Sequence, residues 1–304
     1  MPLVVLLVVA LTVLAGARPA GADSAATLKV VTFNLLHGGP GSGLSGNDQA
    51  LDRRLAIVAR ELRVLDPDVV ALQESSVGSR RGNVAARLAA ELGFHYVHVT
   101  TTSRVTPIGL INRLAAWLMD FSEGPAILSR FPILASETYD LPGCAKWLDP
   151  RIMLRAEVAT AAGAISVFST HTSRDDCQLR RVGEIAGRAR GALPAVVMGD
   201  FNTGETAPAL VGLRREARLL DVFRAVNPDA PGPTVWQRVD AAASTALRRV
   251  DYVFMLPGGR VDGSVRTSRV VLDVPERRAD GGTLWPSDHY GVFAEVGLGD
   301  ARPR

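Results

Sequence analysis

Cysteine is almost missing from this chain of 304 residues: only Cys144 and Cys177 occur. No further cysteine and no nearby histidine complete a tetrahedral set around them, which argues against a zinc site. No low-complexity tract and no repeat at solenoid spacing is present, so fibrous and solenoid architectures are set aside. The longest apolar run, Leu3 to Ala15, is interrupted only by Thr12 and is too short to span a bilayer. Charge of one sign never gathers in a block. The arginine pairs (Arg80-Arg81, Arg180-Arg181, Arg214-Arg215, Arg248-Arg249, Arg277-Arg278) are scattered among acids, and the net charge is only +3. Most of them read as solvated faces, and the mild basic balance permits a phosphate-bearing substrate without demanding one.

What remains is a globular composition, 47% hydrophobic and 21% charged, enough for one large domain or two small ones. After the apolar run come small residues ending in Ala20-Gly21-Ala22, an A-x-A cleavage pattern before Asp23. Residues 1–22 therefore read as a secretory signal peptide, with an N-terminal membrane anchor as the alternative because no Lys or Arg precedes the run. Export makes the even cysteine pair a candidate disulfide, Cys144 to Cys177, against the alternative of two buried thiols.

Periodicity places the elements. Leu28 to Leu36 is a first buried strand ending at Asn34, followed by a Gly/Pro/Ser loop. A helix over Asp48 to Leu65, with apolar residues at helical spacing, stops at Asp66-Pro67-Asp68. Val69 to Leu72 is the next strand and delivers Gln73 and Glu74. A helix from Asn83 to Leu92 and a strand from Phe94 to Thr100 follow, then an apolar helical stripe over Ile108 to Phe121 that reads as core, with a lipid-facing surface as the alternative. Gly124 to Ile133 is a strand bent at Phe131-Pro132. Arg151 to Thr160 and Ala164 to Thr170 form an antiparallel pair joined at Gly163. Asp175 to Leu193 is helical, Val196 starts another buried strand, and Ala207 to Ala217 is a short helix. Strands at Arg248 to Met255, Ser268 to Val274 and His289 to Gly297 complete the chain. No linker divides this order, so a single α/β domain from residue 23 to 304 (core about 28–298) is expected, with two packed mixed sheets and helices outside.

Chemistry-bearing residues recur where these strands run out: Asn34, Glu74, His171, Asp200 with Asn202, Asp251, and Asp288 with His289. In strand-like geometry Asp200 and Asn202 share a face while Phe201 turns into the core; the plainer reading is an Asx-type turn. The set contains no nucleophilic Ser or Cys. Carboxylates and amide oxygens are hard ligands, suited to Mg²⁺, Mn²⁺ or Ca²⁺. Two histidines, one with Asp251 as a candidate acid partner, beside a hard cation suit attack of water on a phosphorus ester.

Six motifs in order carry a resemblance: TFNLL, VVALQES, STHTS, GDFN, RVDYVF and SDHYGV. With them the chain resembles the endonuclease/exonuclease/phosphatase superfamily, from about Leu28 to Val296. The resemblance implies a four-layer α/β sandwich of the deoxyribonuclease I kind and a metal-dependent phosphoesterase. It implies Glu74 as principal metal ligand with Asn34 and Asp288, and Asp200 orienting or deprotonating water with Asn202 beside it. It also implies His289, held by Asp251, stabilising charge on phosphorus, and His171 donating to a non-bridging oxygen or the leaving group. Phe33 before Asn34 and Phe201 in GDFN depart from the abasic-site endonucleases and the inositol-phosphate 5-phosphatases, and a bridge between the two cysteines would brace His171. The expected substrate is a phosphodiester, in nucleic acid or a phospholipid headgroup, cleaved by a monomer with no obligate protein partner. A phosphomonoesterase and a catalytically silent binding module on the same scaffold are the alternatives.

Overall fold

The computed structural model describes residues 26–37, 48–101, 122–144 and 151–299, together with Ile111, Leu114, Trp117, Leu118 and Asp120. The signal-peptide reading falls on residues 1–22, outside the described residues. Among the described residues no helix is long and apolar enough to cross a membrane.

Two strand–helix–strand units build the frame. Strand β1 (Thr27–Asn34), helix α1 (Leu51–Leu65) and strand β2 (Val69–Gly78) form the first, and β1 pairs parallel with β2. The short β3 (Gly82–Asn83), helix α2 (Val84–Leu92), β4 (His95–His98) and β5 (Ser122–Ser129) follow. Strand β6 (Ile133–Leu141) and the hairpin β7 (Arg151–Thr160) with β8 (Gly163–His171) lead into α3 (Asp176–Arg188) and β9 (Ala195–Asp200). The second parallel pair is β8 with β9, joined through α3. A parallel pair cannot be closed by a tight turn, so each needs its crossover helix. Then come α4 (Pro208–Glu216), β10 (Leu220–Asp221), α5 (Val222–Val226), β11 (Asp251–Leu256) and β12 (Ser264–Val271). The minor pair β13 (Glu276–Arg277) and β14 (Thr283–Leu284) precedes the final strand β15 (Gly291–Gly297).

One sheet has the order β12-β15-β1-β2-β5-β4, with β3 on β2, and the other β10-β11-β9-β8-β7-β6. Strand side chains alternate between two apolar environments, which makes the four layers. Val30, Ala71, Ile127, Leu154, Val167, Met198 and Val253 share the core between the sheets. Their neighbours Val31, Val70 and Leu128 pack under α1 and α2. On the other sheet Met153, Phe168, Val197 and Phe254 pack under α3 and α4. Strands buried on both faces read as unbroken apolar runs, which is how they appear in the sequence.

Several expectations are corrected. The stretch Gly124 to Ile133 is two strands, because Phe131-Pro132 carries the chain from the β5 sheet to the β6 sheet. Helix α1 begins at Leu51 rather than Asp48, since Gln49 and Ala50 take left-handed φ values of 48° and 55°. Helix α3 ends at Arg188, five residues early, and β12 lies four residues before its expected start. The Ile108–Phe121 stripe lies largely outside the described residues. Its described members Ile111, Leu114, Trp117 and Leu118 are exposed rather than core. Periodicity marks an apolar face but does not say what covers it.

Candidate active site

Parallel strands end on one rim, and both crossover units deliver their polar residues there. Asn34 closes β1, His171 closes β8, and Asp200 closes β9 beside it in register. Asp251 and His289 come to the same rim for the opposite reason. They stand at the start of β11 and just before β15, which run antiparallel to β9 and β1. The expectation that every site residue follows a strand is corrected for these two and for Asp288. In the ladder His171, Asp200 and Asp251 lie side by side on three adjacent strands.

Glu74 sits within β2 rather than at its end. The pairing of β2 with β5 shifts between Leu72 and Ser75, and Glu74 takes φ 53°. A β-bulge places an extra residue and re-aims its side chain, at a strain cost of about 1–3 kcal/mol for a left-handed non-glycine. On β9, Gly199 allows a close approach: an added Cβ would lie 2.0 Å from the Thr170 carbonyl oxygen. The strand bearing Asp200 could not lie this close to the strand bearing His171 with a side chain there.

Asp200 is the hub where the two sheets meet. Its Oδ2 accepts from Asn34 Nδ2 across the sheets at 3.1 Å, and lies 3.4 Å from His171 Nε2 and 3.7 Å from His289 Nε2. Its Oδ1 accepts from the Asn202 backbone N–H at 2.8 Å, an Asx turn, while Asn202 Nδ2 reaches His171 Nε2 at 3.0 Å. The turn and the polar pair are thus one arrangement, and Phe201 is fully buried as expected. Burial raises the Asp200 carboxyl well above the usual carboxylate range, and the Asp251 charge adds to this.

His289 Nδ1 is 2.9 Å from Asp251 Oδ2. Burial alone would lower this imidazole, but the charges of Asp251 and Asp200 overcome it and raise its pKa, so the ring is held in its charged form. Two neighbouring backbone N–H groups, of Val250 and Asp251, donate to Thr234 Oγ1. His171 behaves in the opposite way: burial first, then the Arg151 charge, hold it well below the ordinary value and hence neutral. Asp251 Oδ1 and His171 Nδ1 are buried and have no hydrogen-bond partner among the described residues.

The expected metal ligands gather on the other flank. Asn34 Nδ2 donates to Glu74 Oε1 at 3.1 Å, and Ser287 Oγ ties the loop before Asp288 to the Asn34 carbonyl at 2.7 Å. Burial would raise the Glu74 carboxyl, but the neighbouring His37 and His171 imidazoles and the Asn34 amide hold it at about 2. Asp288 is raised by burial and by the Glu74 charge. Two carboxylates that repel each other beside an amide side chain fit a hard divalent cation. A tighter carboxylate–imidazole cluster, Asp200, Asp251 and His289, also has its donor atoms within 4.8 Å. Its Asp251 and His289 atoms are engaged with each other. Cys144 and Cys177 are joined, Cα atoms 5.6 Å apart, beside Asp175. Asp175 Oδ1 caps α3 through Cys177 N–H while its Oδ2 accepts from Cys144 N–H, so the bridge pins the loop four residues after His171.

Sequence reasoning missed several neighbours. His37 Nε2 lies 3.2 Å from Glu74 Oε2, Arg151 Nε donates to Ser173 Oγ at 3.2 Å, and half-buried Glu123 lies near Glu74 and His37 with its carboxyl raised. Only His37, immediately after TFNLL, carried a local signal. Arg54 was missed as well: only 1% exposed, it donates to the carbonyls of Leu35, Leu36 and Pro286 and so clasps the loops after Asn34 and before Asp288.

No curated protein matches the chain in sequence. Solved structures match over most of its length. An endonuclease/exonuclease/phosphatase family protein from Bacteroides thetaiotaomicron is 20% identical, with TM-score 0.66 over 89% of this chain and 97% of that one. The B. thetaiotaomicron mannosyl-6-phosphatase Bt3783 is also 20% identical, with TM-score 0.64 over 88% and 99%. D. rerio TDP2 complexed with single strand DNA product is 17% identical, with TM-score 0.64 over 90% and 99%. These likenesses establish the fold. The model of the Endonuclease/Exonuclease/phosphatase family matches residues 31–289, from within β1 to the histidine held by Asp251, and the chain belongs to that family.

Proposed function

We propose that this chain is an exported, divalent-metal-dependent hydrolase of phosphoester bonds, acting on a phosphodiester. The observation that carries the reading is the position of Asp200. Its carboxylate stands where both sheets meet, within 3.1 Å of the Asn34 amide and 3.4 and 3.7 Å of two imidazole nitrogens. No serine or cysteine nucleophile stands in that set, so water is the attacking group.

Glu74, Asn34 and Asp288 would hold the cation, Mg²⁺ with Mn²⁺ or Ca²⁺ as substitutes. Bound there, it supplies Lewis-acid neutralisation of phosphoryl oxygen charge. Asp200 accepts the proton of the attacking water; its raised carboxyl makes it a competent base near neutrality. Asn202, fixed by its Asx turn, orients that water and the phosphate. Charged His289, held by Asp251, donates to a phosphoryl oxygen where negative charge develops. Neutral His171 places Nε2 beside the Asn202 amide and Asp200, and in the tautomer with its proton on Nε2 it would donate to a substrate oxygen. Arg151 adds a positive charge near His171.

The test is hydrolysis of bis-p-nitrophenyl phosphate with Mg²⁺. Asp200→Ala and His289→Ala are each expected to lose at least a hundredfold in kcat, and EDTA to silence the wild type. Full activity in either variant, or activity that survives chelation, would sink the assignment. The fold neighbours include a mannosyl-6-phosphatase and a TDP2 holding a single strand DNA product. A panel of plasmid DNA, sphingomyelin vesicles and a phosphomonoester therefore decides the ester class, and failure on all three favours a specialised substrate or a binding module.

A further inference from the structure

On the Asp288 side of the rim the surface opens into a cavity of about 920 Å³, a size typical of small-molecule sites. Asp288 lines it, so the cavity and the candidate metal flank share a carboxylate. Much of its lining is apolar, with Leu36, Val239 and Leu284. Its most conspicuous member is Trp236, 59% exposed. The Arg248 guanidinium stands 4.8 Å from the centre of the indole ring.

The Trp236 loop is held in place. Thr245 Oγ1 donates to the Trp236 carbonyl at 2.9 Å, and Trp285 N–H donates to the Val239 carbonyl at 2.9 Å. Gln237 Oε1 accepts from Tyr290 O–H at 2.6 Å, one residue from His289. An exposed aromatic ring on a loop anchored to the catalytic rim is preorganised, and preorganisation removes an ordering cost from binding. Two more guanidiniums, Arg238 and Arg278, line the cavity, each beside an exposed aspartate.

We propose that this cavity is a substrate subsite for a flat-faced ring, a nucleobase or a pyranose, attached to the phosphate that lies at Asp288. The proposal rests on the phosphoesterase reading and narrows its substrate class. A ring gains stacking on the open indole, whereas glycerol or a short chain offers it no face. A quaternary ammonium headgroup would also seek the indole, but the Arg248 guanidinium already stands at the ring, while Arg238 and Arg278 in the cavity wall are balanced by Asp240 and Asp280. The arrangement favours a ring-bearing anion over a cationic headgroup.

Calorimetric titration of the purified protein with Mg²⁺ tests this, using dAMP, mannose 6-phosphate, glycerol 3-phosphate and phosphocholine. At least one ring-bearing phosphate is expected to bind about tenfold more tightly than the ringless pair. Trp236→Ala should erase that preference and Trp236→Phe should restore most of it, with thermal melts confirming that both variants fold. Preference for dAMP assigns a base, and preference for mannose 6-phosphate assigns a sugar. Equal binding of all four, tighter phosphocholine, or indifference to Trp236→Ala overturns the subsite. The same preparation is assayed on bis-p-nitrophenyl phosphate. Hydrolysis without ring preference removes only the subsite, whereas absence of hydrolysis removes the reading beneath it.

Discussion

Asp200 shows how one side chain acquires a chemistry that its type does not possess in water. Solvent is excluded, Asp251 adds a negative charge, and the carboxyl is raised towards the range where it can exchange protons. His289 is raised by the same two aspartates, so both groups depend on the Asp251 charge. Asp251→Asn removes it, and kcat on bis-p-nitrophenyl phosphate is expected to fall by about a hundredfold or more with little change in KM. A variant with unaltered kcat would remove Asp251 from the mechanism. At this scale much was legible: an Asp or Asn at one strand end is an ordinary turn former, but GDFN and SDH stand among six motifs in order. The left-handed Glu74 was not legible. Nothing in VVALQES signals a bulge, because the extra residue exists only relative to its partner β5.

Helix α1 carries two features that periodicity hides. Arg54 stands on its buried side and replaces water with four carbonyl oxygens, those of Leu35, Leu36, Gln49 and Pro286. The amphipathic pattern assigns an arginine to solvent, since the pattern records side-chain polarity and not the acceptors a neighbouring loop offers. Arg54→Lys cannot fill that fan of acceptors, so a loss of about 2–4 kcal/mol in urea unfolding is expected, and a loss of Mg²⁺ affinity with it. Two turns further on, Glu61 is half-buried against the end of β12, and burial, then the Asp273 charge, raise its carboxyl to about 7 from 4.5. The folded state then binds more protons than the unfolded chain between pH 4.5 and 7. Stability should therefore fall as pH rises through that window. The loss is on the order of 1 kcal/mol once solvent screening of a half-exposed group is discounted. Glu61→Gln should flatten that slope in thermal melts across pH, and an unchanged slope would assign it elsewhere.

Across the whole molecule the disulfide closes a separation of 33 residues and joins the end of the β6 strand region to the start of α3. Replacing both Cys144 and Cys177 by alanine is expected to cost about 2–4 kcal/mol in denaturant unfolding, and the difference should vanish when the wild type is reduced. An exported chain recovered from the medium should begin at Asp23, which N-terminal sequencing reads directly; retention of Met1 would refute cleavage. The sequence by itself determined the strand–helix alternation, the buried character of the strands and the set of candidate site residues, because these depend on local periodicity and on which functional groups a segment carries. Only the tertiary structure decided that Phe131-Pro132 divides two sheets, that Asp251 and His289 arrive from strand starts, and that Asn34 meets Asp200. Those facts depend on strand direction and sheet packing between residues far apart in the chain, which no local window contains. The same holds for the cavity beside Asp288, whose walls come from four separate stretches of sequence.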